Sequence, residues 1–217
     1  MVAKILHMPP GRAGRLWLQH RLSTAQRGAD LLDHKLRILR GEREQLALER
    51  DMMAAEWDSA SREAYTWLLR SVLLGGQRSV RLAATPAPAE VRIHWAQSMG
   101  VRYPAEATCS VPEPAPDAPP PANAALVAAR DCYRRAVAAA VRQAALETAV
   151  RALDAQEVAT RRRLRAIEDR WIARLQQALA DLQFKLDEDE HNDAVRLRWA
   201  AENRSLSDRG RDSRGTP

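Results

Sequence analysis

Phenylalanine occurs once, at position 184, and aromatic residues make up 5 % of the 217-residue chain. That is too little bulky apolar volume for a broad globular core, though it suits a narrow seam between helices. Long apolar runs are missing as well, and none approaches the roughly 20 residues needed to span a bilayer. Pro9, Pro10 and Gly11 break the opening stretch before a signal-peptide core can form. Lysine is confined to Lys4, Lys35 and Lys185, so arginine supplies nearly all of a formal net charge of +6. Such a charge invites a nucleic-acid reading. Arginine in place of lysine, beside abundant alanine, is as readily explained by a GC-rich genome, and the charge alone decides little. Cys109 and Cys132 are the only cysteines; they flank a proline-rich segment and lack metal-ligand spacing. Reduced thiols are the expectation for what reads as a cytosolic protein.

Catalytic signatures are absent too. There is no glycine-rich lysine loop to cradle phosphates, no HExxH and no CxxC. His7, His20, His34, His94 and His191 are scattered. His191 follows Asp187, Glu188, Asp189 and Glu190, but on a helix four consecutive carboxylates spread round the circumference, as a solvated face does. Ser23, Thr24 and Asp30 read as helix-surface residues rather than an assembled nucleophilic site. The expectation is a chain with no catalytic site, cofactor or metal.

What the sequence does contain is helical periodicity. Every seventh residue from 18 to 74 is apolar: Leu18, Ala25, Leu32, Leu39, Leu46, Met53, Ala60, Trp67 and Leu74. Leu22, Ala29, Leu36, Trp57 and Ala64 complete the stripe, which breaks only at Arg43, Arg50 and Ser71. A stripe of this length marks a helix packed lengthwise on another. At about 1.5 Å per residue it predicts a helix roughly 90 Å long. In the C-terminal half, Leu153, Leu164, Leu175, Leu186 and Leu197 recur every eleven residues, with Ile167, Trp171, Ala178 and Leu182 on the same face. The predicted fold is mainly α, a long antiparallel two-helix coiled coil with a small β-hairpin region between the helices. Trp57 and Trp67 are expected in its core.

Boundaries follow from local chemistry. The first helix is expected over 12–75, ending at Gly75-Gly76, where glycine tolerates the left-handed conformation of a helix stop. Over 77–111 the period falls to two: Val80 and Leu82 flank Arg81, and Val91, Ile93 and Trp95 alternate with Arg92 and His94. Val101 and Tyr103 follow Met99-Gly100, so short strands are expected. A hairpin alone is marginal in water, so it should lie against the helices or a partner. Prolines 112, 114, 116, 119, 120 and 121 make 112–123 a linker. The second helix is expected over 124–200, and the polar residues 201–217 as a disordered tail.

Several of these segments resemble a known family. Pro10-Gly11-Arg12-Ala13-Gly14-Arg15-Leu16, followed by Arg21-Leu22, Arg27-Gly28, Leu31-Leu32 and Lys35, looks like the N-terminal helix of the D subunit of the prokaryotic V/A-type ATPases. Ser98-Met99-Gly100-Val101-Arg102-Tyr103-Pro104 is similar to that family's Met-Gly-Val-x-x-Pro stretch. Thr160-Arg161-Arg162-Arg163-Leu164, with Ala166, Ile167 and Glu168, matches its Thr-Arg-Arg-Arg signature, and Leu186-Asp187-Glu188 its closing Leu-Asp-Glu. The resemblance covers roughly residues 8–200. The chain departs from the pattern at Arg165, where the family has asparagine, and at Ala173, where proline is common.

The resemblance implies a non-catalytic central rotor shaft that couples ATP hydrolysis or synthesis to proton or sodium transport. Its partners would be the catalytic and non-catalytic head subunits (A and B), the F subunit and a socket subunit on the membrane ring. It would bind no nucleic acid, insert in no membrane, and lie in the cytoplasm against the inner face of the cell membrane. On this reading Arg12, Arg15, Arg161, Arg162, Arg163 and Arg165 are candidates for contacts inside the head. The alternative for them is a solvated basic face with internal salt bridges, such as Arg165 to Glu168 or Asp169. Val91, Ile93, Trp95, Met99 and Val101, near Trp57 and Trp67, are candidates for contacts with the F subunit. Gly28 would let the helices approach closely, and Leu32, Leu39, Leu164, Leu175 and Leu186 would pack the seam. Competing readings are a helical-hairpin stalk of a flagellar or type III export apparatus, which lacks the Met99-Gly100-Val101 hairpin, and an arginine-rich nucleic-acid-binding coiled coil, which leaves the ordered motifs unexplained.

Overall fold

A computed structural model describes residues 9–83, 88–113 and 120–212. Helix α1 spans Gly11–Leu82, strands β1 and β2 span Glu90–Ser98 and Val101–Ser110, and helix α2 spans Ala124–Arg165. A π-helical turn, Ala166–Ile172, leads into helix α3, Ala173–Asp212. The chain is thus mainly helical, with a long helix and a small antiparallel sheet between helices. It divides into two units, Met1–Leu32 with Arg162–Pro217 and Asp33–Arg161.

In the first unit, α1 and α3 run antiparallel: Arg12 pairs with Glu190 at 2.8 Å, and Leu18 is buried with Leu175 and Leu182. Trp17, Leu22, Ala25, Trp171, Ala178 and Leu186 pack round this cluster. The eleven-residue series holds at Leu164 and Leu175, and Leu186 is half-buried. It ends at Leu197, which is 72 % exposed, beyond the level at which the described part of α1 starts opposite Glu190.

The second unit is also an antiparallel pair. Arg142 reaches Glu56 and Arg135 reaches Glu63, at 3.3 and 3.2 Å. Heptad positions Leu39 and Ala64 are fully buried, and Trp67 packs half-buried on a cluster of Ala64, Cys132 and Ala136. Trp57, expected in the core, is instead 42 % exposed. Its neighbour Glu56 is the residue that meets the facing helix, through Arg142. Leu74 is likewise exposed, at the end of the pair.

Gly76 leaves helical geometry at φ 71, ψ 169, where the glycine pair predicts a stop. The chain then resumes a helical turn to Leu82, so Val80 and Leu82 are not in a strand. Ser79 Oγ donates to the Gly76 carbonyl at 2.7 Å, and the Ala83 amide donates back to Ser79 and Val80, which stabilises that turn. At its far end α3 runs on to Asp212, past the expected boundary at 200. No proline interrupts 201–212, and extending a nucleated helix costs little per residue. The opening residues 1–8, most of the proline linker (114–119) and the tail beyond 212 lie outside the described residues.

The hairpin turns at Met99-Gly100, where both residues have positive φ (46° and 80°), the geometry of a two-residue turn matching strand twist. Ser98 pairs with Val101, and the register runs to Glu90 opposite Ser110 with a bulge between His94 and Trp95. The extra residue, Ala105, lies beside Pro104, which has no N–H to give the ladder. Ala107 and Pro104 are buried, and a cleft of about 210 Å³ between β2 and the helices is lined by Met52, Met53, Ala107 and Leu146. The hairpin therefore lies on the helix pair through β2.

Candidate functional site

A carboxylate in the helix seam organises the arginines nearest the Thr-Arg-Arg-Arg segment. Glu157 follows Leu153 by four residues and precedes Thr160 and Leu164 by three and seven, all on the buried face of α2. Its side chain is 5 % exposed. Arg40 Nε donates to Oε1 at 3.4 Å, Arg43 Nε lies 3.2 Å from Oε2 as an ion pair, and Arg161 donates to Oε1. Arg43 also reaches Asp154 at 3.9 Å. One carboxylate thus gathers three guanidinium groups, and α1 and α2 are tied together by charge at this level. Arginine suits the task because its planar fork presents several N–H donors to a carboxylate.

Of the six head-contact candidates, Arg161 is committed to Glu157, and Arg12 to Glu190 with both partners largely exposed. Arg15, Arg162, Arg163 and Arg165 are exposed, with no carboxylate in ion-pair range among the described residues. The expected pairing of Arg165 with Glu168 or Asp169 does not form. The π-helical turn begins at Ala166, and its wider i→i+5 winding carries those carboxylates away from α-helical i+3 and i+4 spacing. These four cations are available to an external partner.

The hairpin candidates are exposed together. Val91 and Ile93 are each 47 % exposed, Trp95 51 % and Met99 42 %, while Val101 is half-buried. Val91, Ile93 and Trp95 share one side of β1, and the Arg102 guanidinium stacks over the Trp95 ring at 4.7 Å. The result is an apolar strand face capped by a cation, next to α1 and α2. The seam residues Leu39, Leu164 and Leu175 are buried, and Leu32 and Leu186 half-buried. Gly28 is a correction: a Cβ there would meet nothing within 4 Å, so close helix approach does not depend on it. The helix surfaces already leave room for a methyl group at that position.

The residues that sequence reasoning missed are Glu157 and its partner Arg40. A signal was present. Arg43 interrupts the apolar stripe of α1, and a half-buried cation in a seam calls for an anion opposite, which Glu157 supplies. Among the described residues no cluster of His, Cys, Asp and Glu could hold a metal, and no helix is long and apolar enough to cross a membrane.

The geometry is that of paired helices with exposed cations and one exposed apolar strand face. The family model described as the D subunit of ATP synthase matches residues 16–202. The V-type ATP synthase D subunit of Thermotoga neapolitana is 28 % identical over 195 residues, covering 89 % of this chain and 96 % of that protein. Because the family match runs through α1, the hairpin, α2 and most of α3, the chain belongs to the D-subunit family of ATP synthases.

Proposed function

We propose that this chain is a non-catalytic stalk subunit of a V/A-type ATPase, working as its central rotor shaft. The observation that supports this most is the family match over residues 16–202, laid over antiparallel helix pairs with a hairpin between helices. In the proposed arrangement the unit of Met1–Leu32 with Arg162–Pro217 enters the ring of catalytic and non-catalytic head subunits. The F subunit docks on the exposed hairpin residues Val91, Ile93, Trp95 and Met99. The part of the Asp33–Arg161 unit where α1 ends and α2 begins seats on a socket subunit above the membrane ring, at the inner face of the cell membrane. The chain itself neither binds nucleotide nor inserts in the membrane.

The mechanism needs no chemistry from the chain. Three identical catalytic sites meet three different faces of an asymmetric shaft, so their nucleotide affinities differ. About 1.4 kcal/mol of unequal contact energy changes affinity tenfold. Rotation permutes those affinities, and sequential hydrolysis drives rotation, because coupling between binding equilibria is reciprocal. Arg15, Arg162, Arg163 and Arg165 would form changing charge-assisted bonds to carboxylates lining the head. Whether protons or sodium ions are moved is decided by other subunits.

Affinity purification of the tagged chain from its native membranes, followed by mass spectrometry, tests the reading. Recovery of catalytic and non-catalytic subunits at about three copies each per shaft, together with the F subunit, is the expected result. Recovery of nuclease-sensitive nucleic acid or export-apparatus proteins without head subunits would overturn it.

A further inference from the structure

The hairpin leaves a whole row of backbone groups without partners. Its sheet has two strands, so β1 has β2 on one side and no strand on the other. Among the described residues no backbone hydrogen bond joins β1 to any element but β2. The two-residue turn makes Ser98 and Val101 a hydrogen-bonded pair, and such pairs alternate along an antiparallel ladder. The extra residue of the bulge, Ala105, belongs to β2, so the alternation runs unbroken along β1. Arg92, His94 and Ala96 therefore point their N–H and C=O groups at β2. Val91, Ile93, Trp95 and Gln97 point theirs outward.

The apolar layer stops at the same edge. Directly paired residues put their side chains on one face, so Ile93 lies beside Ala107 and Trp95 beside Pro104. Ala107 and Pro104 are buried, whereas Ile93 and Trp95 stay 47 % and 51 % exposed. The face that seats β2 on the helices thus continues across β1 without a cover. Strand edges are ordinarily blunted by lysine, proline or a bulge. β1 has neither lysine nor proline, it is not the bulged strand, and its one arginine is held by Glu90 at 3.3 Å. An exposed apolar edge of nine residues without these devices is a template for another strand.

We infer that β1 accepts a strand from a neighbouring protein, which joins the sheet through main-chain bonds at Val91, Ile93, Trp95 and Gln97. The inference rests on the stalk reading, in which this face meets the F subunit, and adds how that contact is made. Spacing selects the occupant. The outward groups recur at every second residue, about 7 Å apart, a period that an extended chain matches. A helix cannot answer them, because its own N–H and C=O groups are bonded to each other. The occupant carries apolar side chains at alternate positions, which extend the layer begun by Ala107 and Ile93. Near the Met99-Gly100 turn it carries a carboxylate, because Arg102 stacks on Trp95 with no carboxylate in ion-pair range among the described residues.

The test compares Ile93→Pro with Ile93→Ala in the whole complex, captured through a tagged head subunit. Both lose the side chain, but only proline also loses an outward N–H, a donor that β2 does not use. F subunit recovered per head should fall about tenfold further with proline than with alanine, since a carbonyl of the added strand is left unsatisfied. Amide hydrogen exchange on the purified natural chain, with and without F subunit, gives a second measurement free of any folding defect. The amides of Arg92 and His94 should exchange slowly in both states. Those of Val91, Ile93 and Trp95 should slow at least about tenfold when F subunit is bound. Equal recovery with the two substitutions, or unchanged exchange at the outward amides of the bound chain, would overturn strand addition. Slowing of those amides without F subunit, as chain concentration rises, would overturn it in favour of a second copy of this chain. Failure of the natural chain to recover any F subunit would instead sink the stalk reading of this face.

Discussion

Around Glu157 the seam of the Asp33–Arg161 unit is charged, whereas around Ala136 it is built from alanine and cysteine. In the first stretch Arg40, Arg43 and Arg161 converge on one buried carboxylate. In the second, Ala64, Cys132 and Ala136 are almost wholly buried against each other, with Trp67 alongside. Small side chains bring helices close, yet alanine sliding past alanine by one heptad loses little. A charged layer costs desolvation, but any slip strands Glu157 away from its partners. One region therefore sets the distance between helices and the other their register.

The largest effect that would break this comparison is expected from Glu157→Leu. It takes from Arg40, Arg43 and Arg161 their shared buried carboxylate, with a loss of about 2–4 kcal/mol in urea unfolding, discounted because the arginines keep partial access to water and Arg43 keeps Asp154 at 3.9 Å. Adding Arg43→Leu should restore most of that stability while losing the single register, seen as doubled amide resonances. If the double variant keeps one sharp set of resonances, the charged layer does not specify register. Next comes Ala136→Leu, which drives a larger side chain into the alanine seam. It should cost about 1–3 kcal/mol by overpacking, whereas a leucine at exposed Asp154 should be near neutral. Equal effects at the two positions would mean the seam is looser than its burial indicates. Smaller again is Ser71→Ala. Ser71 is fully buried and its Oγ has no hydrogen-bond partner, so removing the hydroxyl should stabilise the pair by up to about 1 kcal/mol. A loss of stability would show that the hydroxyl has a partner after all.

These variants also mark how far the sequence could be read. The heptads of α1 and the leucines 153, 164 and 175 gave both helices and their buried faces, because burial in a two-helix seam leaves a one-dimensional trace. Met99-Gly100 gave the hairpin turn for the same local reason. What was not legible depends on the facing helix. Trp57 occupies a seam position by count and stays 42 % exposed, while its neighbour Glu56 pairs with Arg142 of the facing helix. Glu157 has only an indirect signal, the break that Arg43 makes in the facing stripe, and its burial becomes evident once Arg40 and Arg43 are set opposite. Arg165 was offered a helical salt bridge that the π-turn removes, and nothing in Ala166–Ile172 announces that turn. The hairpin face at Val91, Ile93 and Trp95 was readable as alternation, and its exposure beside the helices was not.

The smallest effect concerns how the hairpin is held, and it contrasts a neutral anchor with the charged seam. Tyr103 on β2 is half-buried near Glu42 of α1, and burial first, then the carboxylate, raises its pKa above the ordinary 10.0. Both causes favour the neutral phenol. The folded chain therefore holds a proton that the unfolded chain releases once pH passes the ordinary tyrosine range. The contribution is complete below about pH 10 and is lost as pH rises through the folded value. Relative to Tyr103→Phe, the natural chain should lose stability above about pH 10, while below it the gap between their urea midpoints stays constant. Glu42→Gln should shrink the alkaline loss without abolishing it, because desolvation remains. Parallel pH profiles for the natural chain and Tyr103→Phe would mean the phenol is as hydrated in the fold as out of it. The hairpin would then be held by Ala107, Pro104 and the Arg134 bond to the Pro112 carbonyl, and its apolar face would be freer to follow a partner than the seam beneath it.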